Sequence, residues 1–262
     1  MKASVCHVPA VSATVVKAPV LSACVGSVRT GTVPVPEIKP HPLLLDFWTF
    51  SKGDNTDESR DRIVGLNNHV LRAYNFLWNP LSGYGHPDYP AGMACDGIDD
   101  YLGSEEWIFP GSDYTIIAKV TPFKKRWDNS IFSTKDFNTG TSGWNILSYD
   151  EGNEALYFGN QTYKKSTRFV SASGTTELLA MVRNGDTITL YRDMNRLGTV
   201  EIPPGTPNHK TYYLGVKMGL SGSCFYGIIH CNAVYSGALT TDELRTEMNE
   251  AFPLYENIIM NR

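Results

Sequence analysis

Four aromatic side chains in predicted loops could stack on the faces of a sugar ring. Tyr84, His86 and Tyr89 lie in residues 79–92, a long segment rich in glycine, proline and tyrosine, and Trp127 follows three basic residues. Sugar binding needs exposed aromatic faces together with fixed polar groups, and these four residues are the candidates. The same rings could instead pack against the body of the protein or against a neighbouring subunit. The sequence leaves these alternatives open.

The residue patterns of common catalytic and metal centres do not occur in the sequence. No serine occupies a Gly-x-Ser-x-Gly turn, and there is no His-Glu-x-x-His or Cys-x-x-Cys pair. Cys224, His230 and Cys231 are close in sequence, but the two cysteines point to opposite faces of a strand and cannot share an ion. We therefore predict that the protein is not an enzyme and that His230 is a partly buried strand residue.

Length and composition are those of one β-rich domain preceded by a distinct N-terminal segment. The chain has 262 residues, 11% of them aromatic and 19% charged. Its net charge of −4 is uneven, because residues 1–42 carry four basic residues and one acidic residue (4 − 1 = +3), which leaves −7 on the remainder. Four positive charges over so long a segment are too dilute to predict nucleic-acid binding.

Membrane insertion and a disulfide framework are both disfavoured. No segment is long and apolar enough for a transmembrane helix, and His7, Lys17 and two prolines interrupt the apolar stretch that a signal peptide needs. The five cysteines are odd in number and widely spaced, which predicts free thiols. We expect synthesis in a reducing cytoplasm.

About a dozen short strands and one late helix are predicted for the body. The pair Asn184-Gly185 predicts a two-residue type I′ turn between two alternating runs, and Thr240 with Glu243 forms a capping box that begins the helix. Residues 52–68 are predicted to be a loop. The predicted strands are residues 43–47, 93–95, 100–102, 114–121, 131–133, 144–149, 155–159, 177–183, 186–192, 198–202, 212–217 and 224–235. This pattern predicts a two-sheet sandwich of jelly-roll type.

Several segments occur in the order of a known family. They are DGIDDYL (96–102), YTIIAKV (114–120), ITLYRD (188–193), and FYGII with YSGALTTDEL (225–229 and 235–244). In this order they resemble the elements of laminin-G-like, concanavalin A-like domains. The resemblance implies an all-β, concanavalin A-like (laminin-G-like) two-sheet jelly-roll sandwich over residues 43–255, with one short C-terminal helix. An extended N-terminal arm (1–42) and a C-terminal tail (256–262) complete the predicted organisation.

The resemblance also implies a candidate calcium site, since many relatives hold Ca²⁺ at the rim of the sandwich. Asp96, Asp99, Asp100 and Asp113 are the candidate ligands here. The alternative is that these aspartates form turns and cap strand ends, and we favour that alternative. No other cofactor is expected.

A hydrolytic site of the kind found in laminarinase-type relatives is disfavoured. Those enzymes place two glutamates and an aspartate on one strand as Glu-x-Asp-x-x-Glu. The nearest segment here, SYDEGNE (148–154), has Ser148 in place of the first glutamate, and Gly152-Asn153 breaks the strand. We predict an acidic turn between two strands.

The N-terminal arm is predicted to dock onto another protein. Prolines 9, 19, 34, 36, 40 and 42 exclude a helix or a central strand, while the intervening segments are rich in β-formers. Such a segment pairs with the sheet edge of a partner. The predicted docking residues are Val5, Val8, Val11, Val15, Val20, Val25 and Val28.

The arm has a resemblance of its own. SVCHVPA (4–10) and ACVGSV (23–28) are similar to the opening of virion proteins from crAss-like and related Bacteroides phages. That resemblance implies that the arm is a virion anchor and that the sandwich is the part displayed.

These observations predict a structural virion protein of a tailed bacteriophage, as a capsid decoration, head fibre or tail component made in the host cytoplasm. The expected partners are other virion proteins and copies of the same chain, with a cell-surface glycan as a further candidate. Neither nucleic acid nor a membrane is expected as a partner. The first alternative is a glycan-binding adhesin on a virion or a bacterial surface. A laminarinase-like hydrolase is the disfavoured third.

Overall fold

The fold is described from a computed structural model of the protein. The chain divides into two units, Met1–Glu37 and Ile38–Arg262. Residues 1–38 of the predicted arm, with its seven docking valines, and Trp127 lie outside the described residues. The structure describes residues 39–106, 113–124, 128–134, 145–150, 155–160, 164–168, 172–202, 212–217 and 223–262.

The body begins earlier than the predicted boundary after residue 42. His41 already contacts the C-terminal helices, because its backbone N–H donates to the Tyr255 hydroxyl at 3.2 Å and its Nε2 lies 3.6 Å from a Glu243 oxygen. Its ring also meets that of Tyr235 edge to face, with 5.9 Å between centroids. Residues 39–42 therefore belong to the folded body.

Two antiparallel sheets make up the described part of the body, which confirms the predicted all-β sandwich. The strands are β1 Leu44–Thr49, β2 Arg62–Val64, β3 Val70–Tyr74, β4 Gly83–Tyr84, β5 Met93–Asp96, β6 Tyr101–Ser104, β7 Tyr114–Pro122, β8 Asn129–Ser133, β9 Asn145–Asp150, β10 Ala155–Asn160, β11 Lys164–Arg168, β12 Glu177–Asn184, β13 Thr187–Arg192, β14 Asn195–Glu201, β15 Tyr213–Leu214 and β16 Tyr226–Tyr235. The first sheet has the order β14-β13-β12-β7-β16-β5-β4, with β1 also paired to β16, and the second has the order β11-β10-β9-β8-β15-β6-β3-β2.

Four of these strands were not predicted from the sequence. They are β2, β3, β4 and β11. β2 lies inside the predicted 52–68 loop, where only Ile63 of its three residues is buried. A strand with one inward residue has no alternation long enough to detect, so its sequence alone does not distinguish it from a polar loop.

The main core lies between the two sheets. Alternate residues of β7, such as Ile116 and Val120, face inward into the same buried cluster as Leu71, Leu102 and Leu214 of the second sheet. Because side chains alternate along a strand, the neighbours of these leucines must point to the outer face of the second sheet.

The outer face of the first sheet is covered by the C-terminal helices. The Thr240–Glu243 capping box is confirmed and begins α1 Thr241–Thr246, which continues through a π-helical turn, Glu247–Ala251, into α2 Phe252–Met260. Phe252 packs on Phe47 with 4.9 Å between ring centroids. Among the described residues, no helix has the length and apolarity needed to cross a membrane.

Helix α2 continues past residue 255 into the predicted C-terminal tail, residues 256–262. The chain stays helical to Met260 because the preceding turns are anchored from inside. Buried Glu247 accepts hydrogen bonds from the hydroxyls of Tyr235 at 2.7 Å and Tyr255 at 3.0 Å. These bonds satisfy a buried carboxylate and fix the start of α2 against the sheet.

The predicted turn pair Asn184-Gly185 is displaced by one residue. Asn184 pairs with Thr187, which leaves Gly185 and Asp186 as the two loop residues. Gly185 has φ of 56°, the left-handed conformation that glycine adopts with least strain. The pair of positive φ values typical of a type I′ turn occurs instead in the next hairpin, at Asp193 (44°) and Met194 (68°).

Strand β16 lies at the centre of the first sheet. One edge pairs with β7, and the other pairs first with β5 and then with β1. Gly227 in β16 has φ of 153°, and a Cβ at this position would lie 2.3 Å from the carbonyl oxygen of Thr121 in β7. Glycine therefore allows the two backbones to approach closely.

A buried carboxylate closes the turn between β5 and β6. Asp100 is fully buried, and its two oxygens accept hydrogen bonds from the Ser82 hydroxyl at 3.1 Å and the Asp96 N–H at 2.9 Å. Burial raises the pKa of the Asp100 carboxyl to about 7. Asp100 thus ties the loop before β5 to the turn after it.

Replacing Gly227 with alanine is expected to destabilise the fold more than replacing Gly85. Both glycines have positive φ, 153° and 77°, where alanine is strained by about 1–3 kcal/mol. Only at Gly227 does the new Cβ also meet a backbone atom of another strand, whereas nothing lies within 4 Å at Gly85. Chemical denaturation of both variants measures the difference. Equal losses of unfolding free energy would contradict the close approach of β7 and β16.

Asp100 is expected to make the protein less stable as the pH rises from about 4 to about 7. The folded protein keeps the Asp100 proton up to a pKa of about 7, whereas an unfolded aspartate releases its proton near pH ~3.9. The unfolding free energy therefore falls between these two values and levels off above them. Denaturation of wild type and Asp100→Asn across this range measures the difference between their unfolding free energies. This difference should change in favour of the variant as the pH rises. A constant difference would contradict the raised pKa.

Candidate binding surface on the second sheet

The outer face of the second sheet carries aromatic residues at positions set by strand alternation. Leu102 of β6 and Leu214 of β15 face the core, so Tyr101 and Tyr213 face outward. The register places Tyr74 of β3 directly opposite Tyr101, and Tyr213 opposite Gly103. Three tyrosines from three neighbouring strands therefore converge on one patch.

These residues, Tyr74, Tyr101 and Tyr213, form a surface that we call the tyrosine platform. The rings of Tyr74 and Tyr101 are stacked, with centroids 4.8 Å apart and 15° between planes. Tyr213 meets Tyr101 nearly edge on at 6.1 Å and 69°. Tyr74 is 42% exposed, so part of the platform is open to a ligand.

A glycine beneath the platform makes room for two of the rings. A Cβ at Gly103 would lie 3.2 Å from Cδ1 of Tyr213 and 3.4 Å from Cε2 of Tyr74. Contacts at 3.2 Å are too tight for an ordinary side chain, so a larger residue would push Tyr213 away from the sheet. Gly103 therefore allows the rings to lie close to the strands.

Buried neighbours hold the platform from below. Val216 and Cys224 are buried, pair with each other across a β-bridge, and pack against Tyr101 and Tyr213. Burial raises the pKa of the Tyr101 hydroxyl, so this phenol keeps its proton at neutral pH. The platform thus offers apolar ring faces together with hydroxyl groups.

Charged groups border the platform. Arg72 lies opposite Gly103 in the register and forms ion pairs with Glu105 and Asp61, the latter at 2.7 Å. The hydrogen bond to Glu105 and, to a smaller extent, the hydrogen bond to Asp61 raise the pKa of the Arg72 guanidinium, which stays charged. The guanidinium N–H groups and carboxylate oxygens are exposed donors and acceptors of the kind that bind sugar hydroxyls.

The same face continues into a buried polar network over β8, β9 and β10. Ser148 pairs in register with Ser130 and with Tyr157. The Tyr157 hydroxyl donates to Asp128 at 2.9 Å and accepts from the Lys217 ammonium at 2.9 Å, and Lys217 also pairs with Asp128. Burial raises the pKa of Tyr157. The members of this network satisfy one another's hydrogen bonds, and the network stabilises the half of the sheet next to the platform.

The aromatic residues proposed from the sequence lie elsewhere, and two of them are not exposed. Tyr84 is 6% exposed and packs near Trp78, with 6.1 Å between rings. His86 is 9% exposed and lies 5.5 Å from the ring of Phe123. The expectation of exposed rings at Tyr84 and His86 is therefore wrong, because the 79–92 segment folds down onto the sandwich.

Tyr89 is half-buried and also packs against the body of the protein. Its hydroxyl donates to the Gly174 carbonyl at 2.5 Å, and its ring lies 5.9 Å from Phe123 and 6.4 Å from His230. These contacts fit the alternative in which the loop aromatics pack on the body.

Three of the four candidate calcium ligands are brought together. Oxygen atoms of Asp96, Asp99 and Asp100 lie within 4.8 Å of one another. Both Asp100 oxygens already accept hydrogen bonds, and Asp96 Oδ1 accepts one from the Ile98 N–H at 2.7 Å. Ca²⁺ takes six to eight oxygen ligands, so these residues fit a calcium ion only in part, and their bonds to backbone N–H groups are those of the favoured alternative, in which they form turns.

Asp113 does not belong to this group, and its inclusion was wrong. Asp113 immediately precedes β7, and Pro122 is the last residue at the other end of that strand. Pro122 pairs with Gly227 of β16, and Gly227 pairs in turn with β5, which carries the cluster. The nine residues of β7 therefore separate Asp113 from the cluster, about 30 Å at ~3.3 Å per residue. Its Oδ1 instead accepts the Gly185 N–H at 2.8 Å.

His230 and the described cysteines have local structural roles. The His230 Nδ1 lies 2.7 Å from the Ala91 carbonyl and its Nε2 lies 2.8 Å from the Thr121 hydroxyl, as predicted for a strand histidine. Cys95, Cys224 and Cys231 are buried, and none of them forms a disulfide within the described residues. Burial raises the pKa of Cys231 to about 12, so this thiol is not a ready nucleophile.

The sequence carries a signal for two of the three rings of the tyrosine platform. In Tyr101-Leu102-Gly103 and Tyr213-Leu214, a leucine suited to the core alternates with a tyrosine on the opposite face. Tyr74 could not be assigned in this way, because β3 itself was not predicted. Only the cross-strand register brings the three rings together.

The fold is shared with domains of larger enzymes. It is similar to Trypanosoma rangeli sialidase in complex with sialic acid, with a TM-score of 0.59 and 14% identity over 79% of this chain and 33% of the sialidase chain. It is also similar to domain 4 of AbnA, a GH43 extracellular arabinanase from Geobacillus stearothermophilus, in complex with arabinotriose. That comparison has a TM-score of 0.50 and 17% identity over 77% of this chain and 96% of the domain.

This chain spans about a third of the sialidase chain, so the likeness concerns one part of that protein. At such low identity both comparisons show the fold alone. No curated protein matches the chain.

The family is shown by the sequence itself. The laminin G type family described as "Concanavalin A-like lectin/glucanases superfamily" matches residues 96–245, more than half of the chain. The matched region contains all of the segments on which the resemblance was based, from the β5–β6 turn to helix α1. The protein belongs to the concanavalin A-like lectin/glucanase superfamily.

Proposed function

We propose that this protein binds carbohydrate through the tyrosine platform. The observation that carries the proposal is the convergence of three tyrosines on the outer face of the second sheet, with Tyr74 stacked on Tyr101 and 42% exposed. Sugar rings present C–H groups on their faces and hydroxyls around their edges. Aromatic faces contact the former, and the exposed ion pairs of Arg72 supply hydrogen bonds to the latter.

Two features of the platform favour ordered binding. Its rings are held by each other and by Val216 and Cys224, so little side-chain freedom is lost when a ligand binds. Glu105 and Asp61 both bond to Arg72 and are fixed beside it. A rigid aromatic surface with fixed polar neighbours is the usual arrangement of a small-molecule site.

The comparisons support this proposal at the level of the fold. Domain 4 of the arabinanase, which matches over nearly its whole length, was solved with arabinotriose, and the sialidase was solved with sialic acid. For this chain, the platform carries the argument.

We propose further that the protein binds sugar without cleaving it. Glycoside hydrolysis needs two carboxyl groups on either side of the bond, one protonated and one ionised. The carboxylates beside the platform, Asp61 and Glu105, both pair with the single guanidinium of Arg72. Both carboxylates are engaged by the same cation, and this observation supports binding without cleavage.

The second candidate function is structural, and the arm sequence favours it. The valine- and proline-rich sequence of residues 1–37 resembles the opening of phage virion proteins. In this proposal the arm docks onto other virion proteins and the body displays the tyrosine platform. Many copies on one particle would multiply weak sugar contacts through avidity.

Replacing Tyr74 or Tyr101 with alanine is expected to weaken glycan binding about 3- to 10-fold for each ring, since an aromatic contact contributes ~0.5–1.5 kcal/mol. A glycan array would first identify the strongest neutral oligosaccharide, with arabinotriose included, and calorimetry would then measure its affinity. Tyr226→Ala is the matched control, because Tyr226 is 39% exposed on the other sheet. Unchanged affinity in the platform variants, or an equal loss in the control, would contradict the proposal.

Deleting residues 1–37 is expected to leave a folded body that still binds the array ligand but no longer joins phage particles. The truncation stops before His41, whose contacts with Tyr255 and Glu243 belong to the body. Incorporation of tagged full-length and truncated chains into particles assembled in the host measures the effect. Equal incorporation of both chains would rule out docking by the arm.

A further inference from the structure

A recess that contains none of the three platform tyrosines lies at one edge of the sandwich, where Arg62 of β2 pairs in register with Arg72 at the border of the platform. It has a volume of about 300 Å³ and opens where the ends of β1 and α2 meet β2. Charged side chains line much of it: the cations Lys52, Arg60 and Arg62 and the carboxylates Asp54 and Asp57. Its volume is at the lower end of the ~300–1,000 Å³ typical of small-molecule sites. We call it the edge cavity.

The three cations of the edge cavity form no close ion pair in the part of the chain that the structure describes, although the Arg60 guanidinium donates to the Asp57 carbonyl at 3.5 Å and acts electrostatically on the Asp57 carboxylate. Within those ranges, no carboxylate oxygen lies within 4.0 Å of Lys52, Arg60 or Arg62, whereas Arg72 and Lys217 each have one. Arg60 lies over the ring of Trp78 at 5.3 Å, which holds its guanidinium in place without neutralising it.

The two carboxylates of the edge cavity are already part of local turns. Asp54 Oδ1 accepts bonds from the N–H and hydroxyl of Thr56, and Asp57 Oδ1 accepts the same two bonds from Ser59, all at 2.7–2.8 Å. These bonds lower the pKa of both carboxyls, so both are ionised at neutral pH. The second oxygen of each makes no hydrogen bond within the described chain and is available to a ligand hydroxyl.

The charge of the edge cavity is opposite to that of the body around it. Three cations and two carboxylates give its lining a net charge of +1 (3 − 2), whereas residues 43–262 carry −7. A positive recess on a negative surface attracts anions locally and disfavours other cations.

The floor of the edge cavity is apolar and rigid. Ile63, Tyr84 and Met260 contribute to it. The backbone of Tyr84 is bonded on both sides to the amide of Asn55, at 2.8 and 2.9 Å. Gly53 allows the Tyr84 ring to lie there, because a Cβ on Gly53 would be 2.0 Å from the ring atoms.

We propose that the edge cavity binds an acidic sugar residue through its carboxylate or sulfate group. The cations bind the anionic group, the open oxygens of Asp54 and Asp57 accept sugar hydroxyls, and the apolar floor contacts the ring. The sugar part of this assignment rests on the proposed carbohydrate binding, whereas the anion part rests on the charges of the cavity. Tyr84, proposed from the sequence as a ligand residue, contributes its buried ring to this second site.

The test is a set of NMR titrations of the full-length chain with matched probes. Methyl glucuronide and galactose 6-sulfate are compared with methyl glucoside and galactose, which lack the anionic group, and with sodium sulfate, which lacks the sugar. The acidic sugars should bind saturably and at least about 5-fold more tightly than their neutral partners or sulfate. Their affinity should fall as salt is added, because exposed charge pairs are screened.

Variants locate the site and separate it from the tyrosine platform. Arg62→Gln and Lys52→Gln should each weaken binding of the acidic sugars about 3- to 10-fold, while Lys119→Gln, which removes one exposed charge from β7, should not. Tyr74→Ala should leave this binding unchanged, so failure here is distinct from failure of the platform. A thermal melt of each variant confirms that it is folded.

Three results would overturn the proposal. The first is equal binding of acidic and neutral sugars, and the second is sulfate binding as tight as that of the acidic sugars. The third is an equal loss in Arg62→Gln and Lys119→Gln, which would indicate attraction by overall charge rather than a site.

Discussion

The register of the second sheet against the inter-sheet core is the constraint on which the rest of the structure depends. Leu71, Leu102 and Leu214 are fully buried between the sheets. Side chains alternate along a strand, so a slip of one residue would expose all three, at ~1.5–3 kcal/mol for each. That sum is a large part of the stability of an ordinary domain. The tyrosines of the platform are thus held on the outer face by the burial of their neighbours.

The two candidate sites differ in the physical chemistry of their surfaces. The tyrosine platform combines aromatic faces with the ion pairs of Arg72, which are satisfied within the protein. The edge cavity has cations that form no close ion pair in the described chain, and carboxylates that are half used in turns. The first arrangement is suited to neutral sugar faces and the second to an anionic group. A single glycan need not contact both.

The fold was predictable from the sequence where alternation or capping is local. Patterns of a few residues predict strands β7, β12 and β16 and the helix cap at Thr240. All four predictions are confirmed. β3 was missed, and with it the position of Tyr74. The sequence placed Tyr84 and His86 in an exposed loop, because local composition does not reveal that Asn55 and Phe123 bind or pack against them.

The metal ligands that the family resemblance implied are only partly brought together, for a similar reason. Asp96, Asp99 and Asp100 are neighbours in sequence and in space. Asp113 is close in sequence but lies at the other end of a long strand, where it binds the Gly185 N–H. Sequence distance predicts spatial distance within a turn but not across an extended strand.

The most direct test of carbohydrate binding is to observe the tyrosine rings during a titration with the array's strongest neutral oligosaccharide. With labelled tyrosine, each ring gives its own NMR signals, assigned by single substitutions. The account predicts that the signals of Tyr74, Tyr101 and Tyr213 shift together and saturably, while those of Tyr89 and Tyr226 do not move. Saturable binding that shifts Tyr89 or Tyr226 and leaves the platform unchanged would contradict it.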